Sequence, residues 1–140
     1  MSPPAPEFVD TNVWLYAYDG SERRQPAALQ LLEGLAGRGD GRISVQVMQE
    51  FAVNALRASK LAMSAAELQD ALEAMADWTV HRPAAADVAQ AVAIAARHQL
   101  SFWDAMIVLS ARQLGCAILW TEDLGDGQVI EGVTIKNPFA

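Results

Sequence analysis

Apolar positions along the chain switch between two rhythms, short unbroken runs and stripes three or four residues apart, and the alternation predicts strands interleaved with helices. Phe8 and Val9 form the first short run, which stops at Asp10. A short helix rich in Trp14, Leu15 and Tyr16 is expected over residues 12–18, then a polar loop over 19–25. Pro26 suits the first turn of a second helix whose Ala28, Leu31, Leu32 and Leu35 share one face, with Gly37, Gly39 and Gly41 ending it. A brief strand around Ile43 leads into a third helix, with Ser44 as N-cap and Met48, Phe51, Ala52 and Ala55 as its inward stripe. Ser64 and Glu67 have the spacing of a capping box for a fourth helix that buries Leu68, Leu72 and Met75.

Residues 78–81 read as a strand stopped by Pro83, and residues 85–98 as an alanine-rich helix. Ser101-Phe102-Trp103-Asp104 opens a helix over residues 105–114 that Gly115 terminates. Residues 116–121 are a continuous apolar strand of the kind buried on both faces of a parallel sheet. An acidic, turn-rich loop follows, then a last extended piece over residues 133–136. Strands alternating with helices in this way make an α/β fold with a largely parallel sheet flanked by helices.

Composition narrows the function. The 140 residues, 52% hydrophobic and 19% charged, fit one folded domain over 1–140, with residues 1–6 a flexible lead-in. No apolar stretch approaches the ~20 residues that span a bilayer, so a soluble, cytoplasmic protein is expected. The one cysteine, Cys116, rules out an intrachain disulfide and reads as a small buried hydrophobe. A net charge of −7 argues against holding nucleic acid by broad electrostatic attraction. It does not argue against nucleic acid as a substrate, because acids gathered around divalent cations give the same imbalance and the ions reverse it locally.

The acids are placed to gather. Asp10 and Asp123 each follow an apolar strand, and in a parallel sheet both then fall on the carboxyl edge, where ligands collect. Glu50 and Asp104 lie in the first turns of helices that can face the same edge. Each has a bland role as well: Asp10 as an N-cap, Glu50 as a solvated helix position, Asp104 as the partner of Ser101 in a capping box, Asp123 as a turn former. Converging carboxylates repel unless protons or cations neutralise them, and an all-oxygen set suits magnesium or manganese rather than zinc. Metal-assisted hydrolysis of a phosphodiester follows from such a set. No Gly-rich phosphate loop points to nucleotide-driven chemistry.

Phe8-Val9-Asp10-Thr11-Asn12, Gln49-Glu50-Phe51, Ser101-Phe102-Trp103-Asp104-Ala105 and Thr121-Glu122-Asp123-Leu124, in this order and at these separations, strongly resemble the PIN-domain ribonucleases, particularly the VapC-type toxins of bacterial toxin-antitoxin pairs. The resemblance implies a three-layer α/β/α fold and an RNA endonuclease dependent on Mg²⁺ or Mn²⁺, with Asp10, Glu50, Asp104 and Asp123 as its acidic cluster. Asn12 matches the small polar position supporting the first acid, and Thr121 the hydroxyl at the end of the penultimate strand. A homodimer and a protein antitoxin covering the active cleft are also implied.

Other polar residues carry less. Asp126 reads as a turn residue and Trp103 as core, with base stacking the alternative for the indole. Arg23, Arg24, Arg57 and Lys60 are candidates for phosphate contacts or simply solubilising charges. His98 suits a helix C-terminus, and His81 has no visible partner. Of the rival functions, a haloacid-dehalogenase-like phosphatase would place a second Asp two positions after the first, where this chain has Asn12. A non-catalytic RNA-binding or regulatory module of the same fold is disfavoured by the complete set of acids, and a nuclease for structured DNA by the short chain.

Overall fold

A computed structural model describes residues 5–140, so most of the expected lead-in lies outside the described residues. Six strands and six helices succeed one another: β1 (Glu7–Val9), α1 (Thr11–Ala17), α2 (Gln25–Arg38), β2 (Gly41–Ser44), α3 (Val45–Ala55), α4 (Ala65–Met75), β3 (Thr79–His81), α5 (Ala85–His98), α6 (Phe102–Gln113), β4 (Ile118–Trp120), β5 (Val129–Ile130) and β6 (Val133–Lys136). The sheet order is β3-β2-β1-β4-β6-β5, parallel throughout except for the β5–β6 pair. Helices α1 to α4 form one connected group; α5 packs on α6, which lies across β2, β4 and β6. This is the α/β/α arrangement expected.

Strand order fixes where a site can form. From β1 the chain proceeds to β2 and β3 on one side and returns to β4 on the other, so the crevice at the carboxyl ends of β1 and β4 is a topological switch point. Register brings Val9 opposite Trp120, and the Asp10 N–H donates to the Trp120 carbonyl at 3.0 Å. Phe8, Val9, Ile43, Leu119 and Ile135 are fully buried, as strands covered on both faces require.

Several boundaries differ from the sequence reading. α2 runs through Gly37 and stops at Gly39, whose φ of +71° closes the helix. Gly41 then lies inside β2 against Trp78, where an added Cβ would fall 2.3 Å from the ring. α3 buries Val47, Phe51 and Ala55, while Met48 and Ala52 are only half-buried. α6 starts at Phe102, three residues earlier than expected, because Ser101 is its N-cap. β4 keeps only Ile118–Trp120 of the expected 116–121. β5 was not legible at all: two residues long, it turns into β6 through Glu131 and Gly132, both at positive φ.

Candidate active site

Asp10 ends β1 in extended backbone and caps α1, its Oδ1 accepting from the Thr11 N–H at 2.7 Å. Its Oδ2 accepts from the Thr121 hydroxyl at 2.9 Å, across the β1–β4 boundary. With 5% of the residue exposed, the carboxyl is cut off from water, and burial pushes its pKa up to about 7. The two hydrogen bonds oppose that rise, and the charges of Asp123 and Glu50 add to it.

Thr121, fully buried, organises the edge. Its hydroxyl oxygen also accepts from the Asp123 N–H at 3.0 Å and from Asn12 Nδ2 at 3.3 Å. The same Asn12 nitrogen donates to Asp123 Oδ2 at 3.0 Å, tying the second acid to the first. Partial desolvation raises the Asp123 pKa, the Asn12 hydrogen bond lowers it, and the charges of Asp104 and Glu122 raise it further. Asn12 therefore acts as a donor to two acceptors, which an ionised aspartate at that position could not be.

Glu50 comes from the adjoining strand's helix. Ser44 ends β2 and caps α3, and Glu50 lies one turn beyond Gln46 on that helix. Gln46 Nε2 donates to Glu50 Oε1 at 2.7 Å, and the Thr11 hydroxyl donates to Glu50 Oε2 at 3.0 Å. The fourth acid arrives on α6: the Asp104 N–H donates to Ser101 Oγ at 3.1 Å. Only that half of the expected capping box forms, so among the described residues the Asp104 carboxylate accepts no hydrogen bond. Gln46 Nε2 also holds the Trp103 carbonyl at 3.1 Å, which locks the start of α6 to α3.

Among the described residues two buried side-chain oxygens are left without donors, Asn12 Oδ1 and Gln46 Oε1. Each NH₂ group has acceptor partners, which leaves the two amide oxygens as acceptors beside the acids. Among the described residues no three His, Cys, Asp or Glu side chains are close enough to form a ready-made metal cage. The donor set nevertheless fits a hard cation that keeps most of its water, because magnesium is commonly held by one or two carboxylates with the rest hydrated. Asp10, Glu50, Asp104 and Asp123 would supply those carboxylates, and the orphan amide oxygens would accept from the ordered water.

Residues outside the reading also matter. Thr11 and Gln46 hold Glu50, and only the i, i+4 spacing of Gln46 and Glu50 signals this in the sequence. Glu122, next to Asp123, turns away from the cluster to Tyr16 and Arg24. Arg24 is consequently engaged by Glu22 and Glu122 and stacked over Tyr16, which removes it as a free phosphate ligand. Asp126 accepts from the Asn137 N–H at 2.8 Å and joins the turn to the chain end. His98 pairs with Glu131, and His81, without a visible partner in the sequence, bonds Ser110 and Gln113. Trp103 is not core: it is 62% exposed, because α6 begins early enough to put position 103 on its open face.

Solved structures similar to this chain include a toxin and a toxin-antitoxin complex. A toxin-antitoxin complex from Klebsiella pneumoniae superposes with a TM-score of 0.69 at 25% identity, over 94% of this chain and 97% of that one. Mycobacterium tuberculosis VapC20, described as a toxin cleaving the sarcin-ricin loop, gives 0.66 at 22% identity over 84% and 91%. The DNA-bound VapBC of Salmonella typhimurium gives 0.66 at 18% over 96% and 99%. No curated protein matches the chain in sequence. The PIN domain profile matches residues 8–125, a span that begins in β1 and ends just past Asp123, and this chain accordingly belongs to the PIN domain family.

Proposed function

We propose that this protein is an endoribonuclease that hydrolyses RNA phosphodiester bonds with Mg²⁺ or Mn²⁺, and that it is the toxin of a toxin-antitoxin pair. The observation that carries the reading is the hydrogen-bonded chain from Asp10 through Thr121 and Asn12 to Asp123, with Glu50 one bond from Thr11. Four acids from four segments face one edge of the sheet, and among the described residues no cationic side chain is bonded to any of them. Such a cluster is stable only with protons or a cation among them. When bound, the cation lowers the pKa of an attacking water and polarises the phosphate.

The chain's own groups divide the remaining work. Asp10, rigid and buried, anchors the site, and Thr121 and Asn12 hold Asp10 and Asp123 at a fixed separation. Gln46 and Thr11 fix both oxygens of Glu50. Asp104, whose carboxylate accepts no hydrogen bond among the described residues, is the acid best able to take a proton from the attacking water at its own carboxylate oxygen. The partner expected is a protein antitoxin, as in the toxin-antitoxin complex this fold resembles, and the family resemblance adds a homodimer as the expected assembly. No helix among the described residues is long and apolar enough to cross a membrane.

Incubating the purified protein with end-labelled total RNA, with manganese or with chelator, tests the reading. Fragments are expected only with the ion, and Asp104→Asn should lower the cleavage rate at least ~100-fold. Equal cleavage in chelator, or by Asp104→Asn, would contradict it.

A further inference from the structure

We propose that Trp103 is a stacking platform for an unpaired base of the RNA substrate, in the groove it forms with α3; this rests on the nuclease reading above and extends it. The groove, about 450 Å³, is lined by Gln46, Gln49, Glu50, Val53, Asn54 and Trp103. It contains one of the four acids, and Trp103 precedes another in the chain, so a base lodged there brings its neighbouring phosphate to the cluster.

The indole is open to solvent on an anchored stretch of backbone: Gln46 Nε2 donates to the Trp103 main-chain carbonyl, and Phe102 packs against the ring in a T-shaped contact with centroids 5.1 Å apart. An exposed indole on an anchored helix start offers a face to a base, and base–aromatic stacking is tolerant of sequence. Val53, 55% exposed, offers a second apolar surface along the same groove. The rest of the lining is three carboxamides and one carboxylate. Carboxamides match the paired donors and acceptors on the edges of splayed-out bases. Gln46 Oε1, buried and without a donor, is an acceptor for an amino group in this lining. Gln46 Nε2 and Asn54 Nδ2 are already paired within α3 and with Trp103, so an apolar side chain from a protein partner would leave Gln46 Oε1 and the Gln49 amide without partners, which favours a nucleobase as the occupant.

The test separates binding from cleavage. In an Asp104→Asn background with magnesium, a single-stranded oligoribonucleotide carrying 2-aminopurine is titrated against the parent, Trp103→Ala and Trp103→Phe. Stacking predicts quenching by the parent, a loss of affinity of about 5- to 100-fold in Trp103→Ala, and recovery to within about threefold in Trp103→Phe. With the acids intact, Trp103→Ala should raise KM for RNA and leave kcat nearly unchanged. Melting curves on each variant exclude misfolding. Unchanged affinity and quenching in Trp103→Ala, with wild-type cleavage intact, would overturn this inference and leave the nuclease reading standing. A Trp103→Ala protein that binds RNA normally but changes oligomeric state would assign the ring to a protein contact and overturn it equally. Failure of the parent protein both to bind and to cleave RNA would overturn both readings.

Discussion

Asp10 serves two purposes that pull against each other. As an N-cap it stabilises α1, and as a buried acid facing Glu50 and Asp123 it destabilises the ionised protein. Its folded pKa, about 7, lies above the usual carboxyl value, so between roughly pH 4 and pH 7 the folded state binds more protons than the unfolded chain. Stability from this group is therefore fully present below pH 4 and lost as pH rises through 7. Without metal, urea unfolding of the wild type should show greater stability at pH 5.5 than at pH 8, and Asp10→Asn should flatten that slope while remaining folded. The amide oxygen can replace the carboxylate in the bond to Thr11, and its N–H can take the place of Asn12 on Thr121 Oγ while Asn12 keeps its bond to Asp123, so a variant that unfolds instead would mean the charge itself is structural. Thr121→Val keeps the shape but strips Asp10 Oδ2, Asn12 and the Asp123 N–H of a shared partner. We expect a loss of about 1–3 kcal/mol in urea unfolding and weaker RNA cleavage. The sequence offered cap and catalyst as alternatives for Asp10, and the structure shows the cap; a carboxylate has enough lone pairs for both.

Among the helices and strands, the ends were harder to foresee than the middles. The alternation of βα units and the Ser44 and Ser64 caps were legible because capping chemistry and apolar spacing are local. The β5–β6 hairpin was not, since two residues carry no period and Glu131 is an unusual choice for a left-handed position. Glu131 is held there by Arg97, His98 and Arg112, contacts that no local pattern reveals. Ser101→Ala should destabilise by about 1 kcal/mol and also slow cleavage, because the same hydroxyl sets the first turn from which Asp104 projects. An activity loss without a stability loss would place Ser101 in the chemistry instead. Gly41 is required for packing rather than for its backbone: Gly41→Ala drives a methyl into Trp78 and should cost about 1–3 kcal/mol by thermal or urea unfolding.

Across the whole molecule, the excess of acids over bases now has an address. Arg24 is paired with Glu122 and Glu22, Arg38 with Glu7 and Asp40, and Arg97 and Arg112 with Glu131, and among the described residues no basic side chain is paired with Asp10, Glu50, Asp104 or Asp123. That arrangement could not be read from the sequence, which shows which charges exist but not which ones meet. It makes the folded state a better ligand for divalent cations than the unfolded chain, so manganese at 100 times its dissociation constant should add roughly 2.7 kcal/mol and raise Tm by several degrees. The most direct test of the central claim, that this carboxylate cluster binds a hydrated divalent cation, is calorimetric titration of manganese into wild type, Asp10→Asn and Asp104→Asn. We predict saturable binding by the wild type that weakens at least about tenfold in each variant. Equal binding by all three proteins would contradict it.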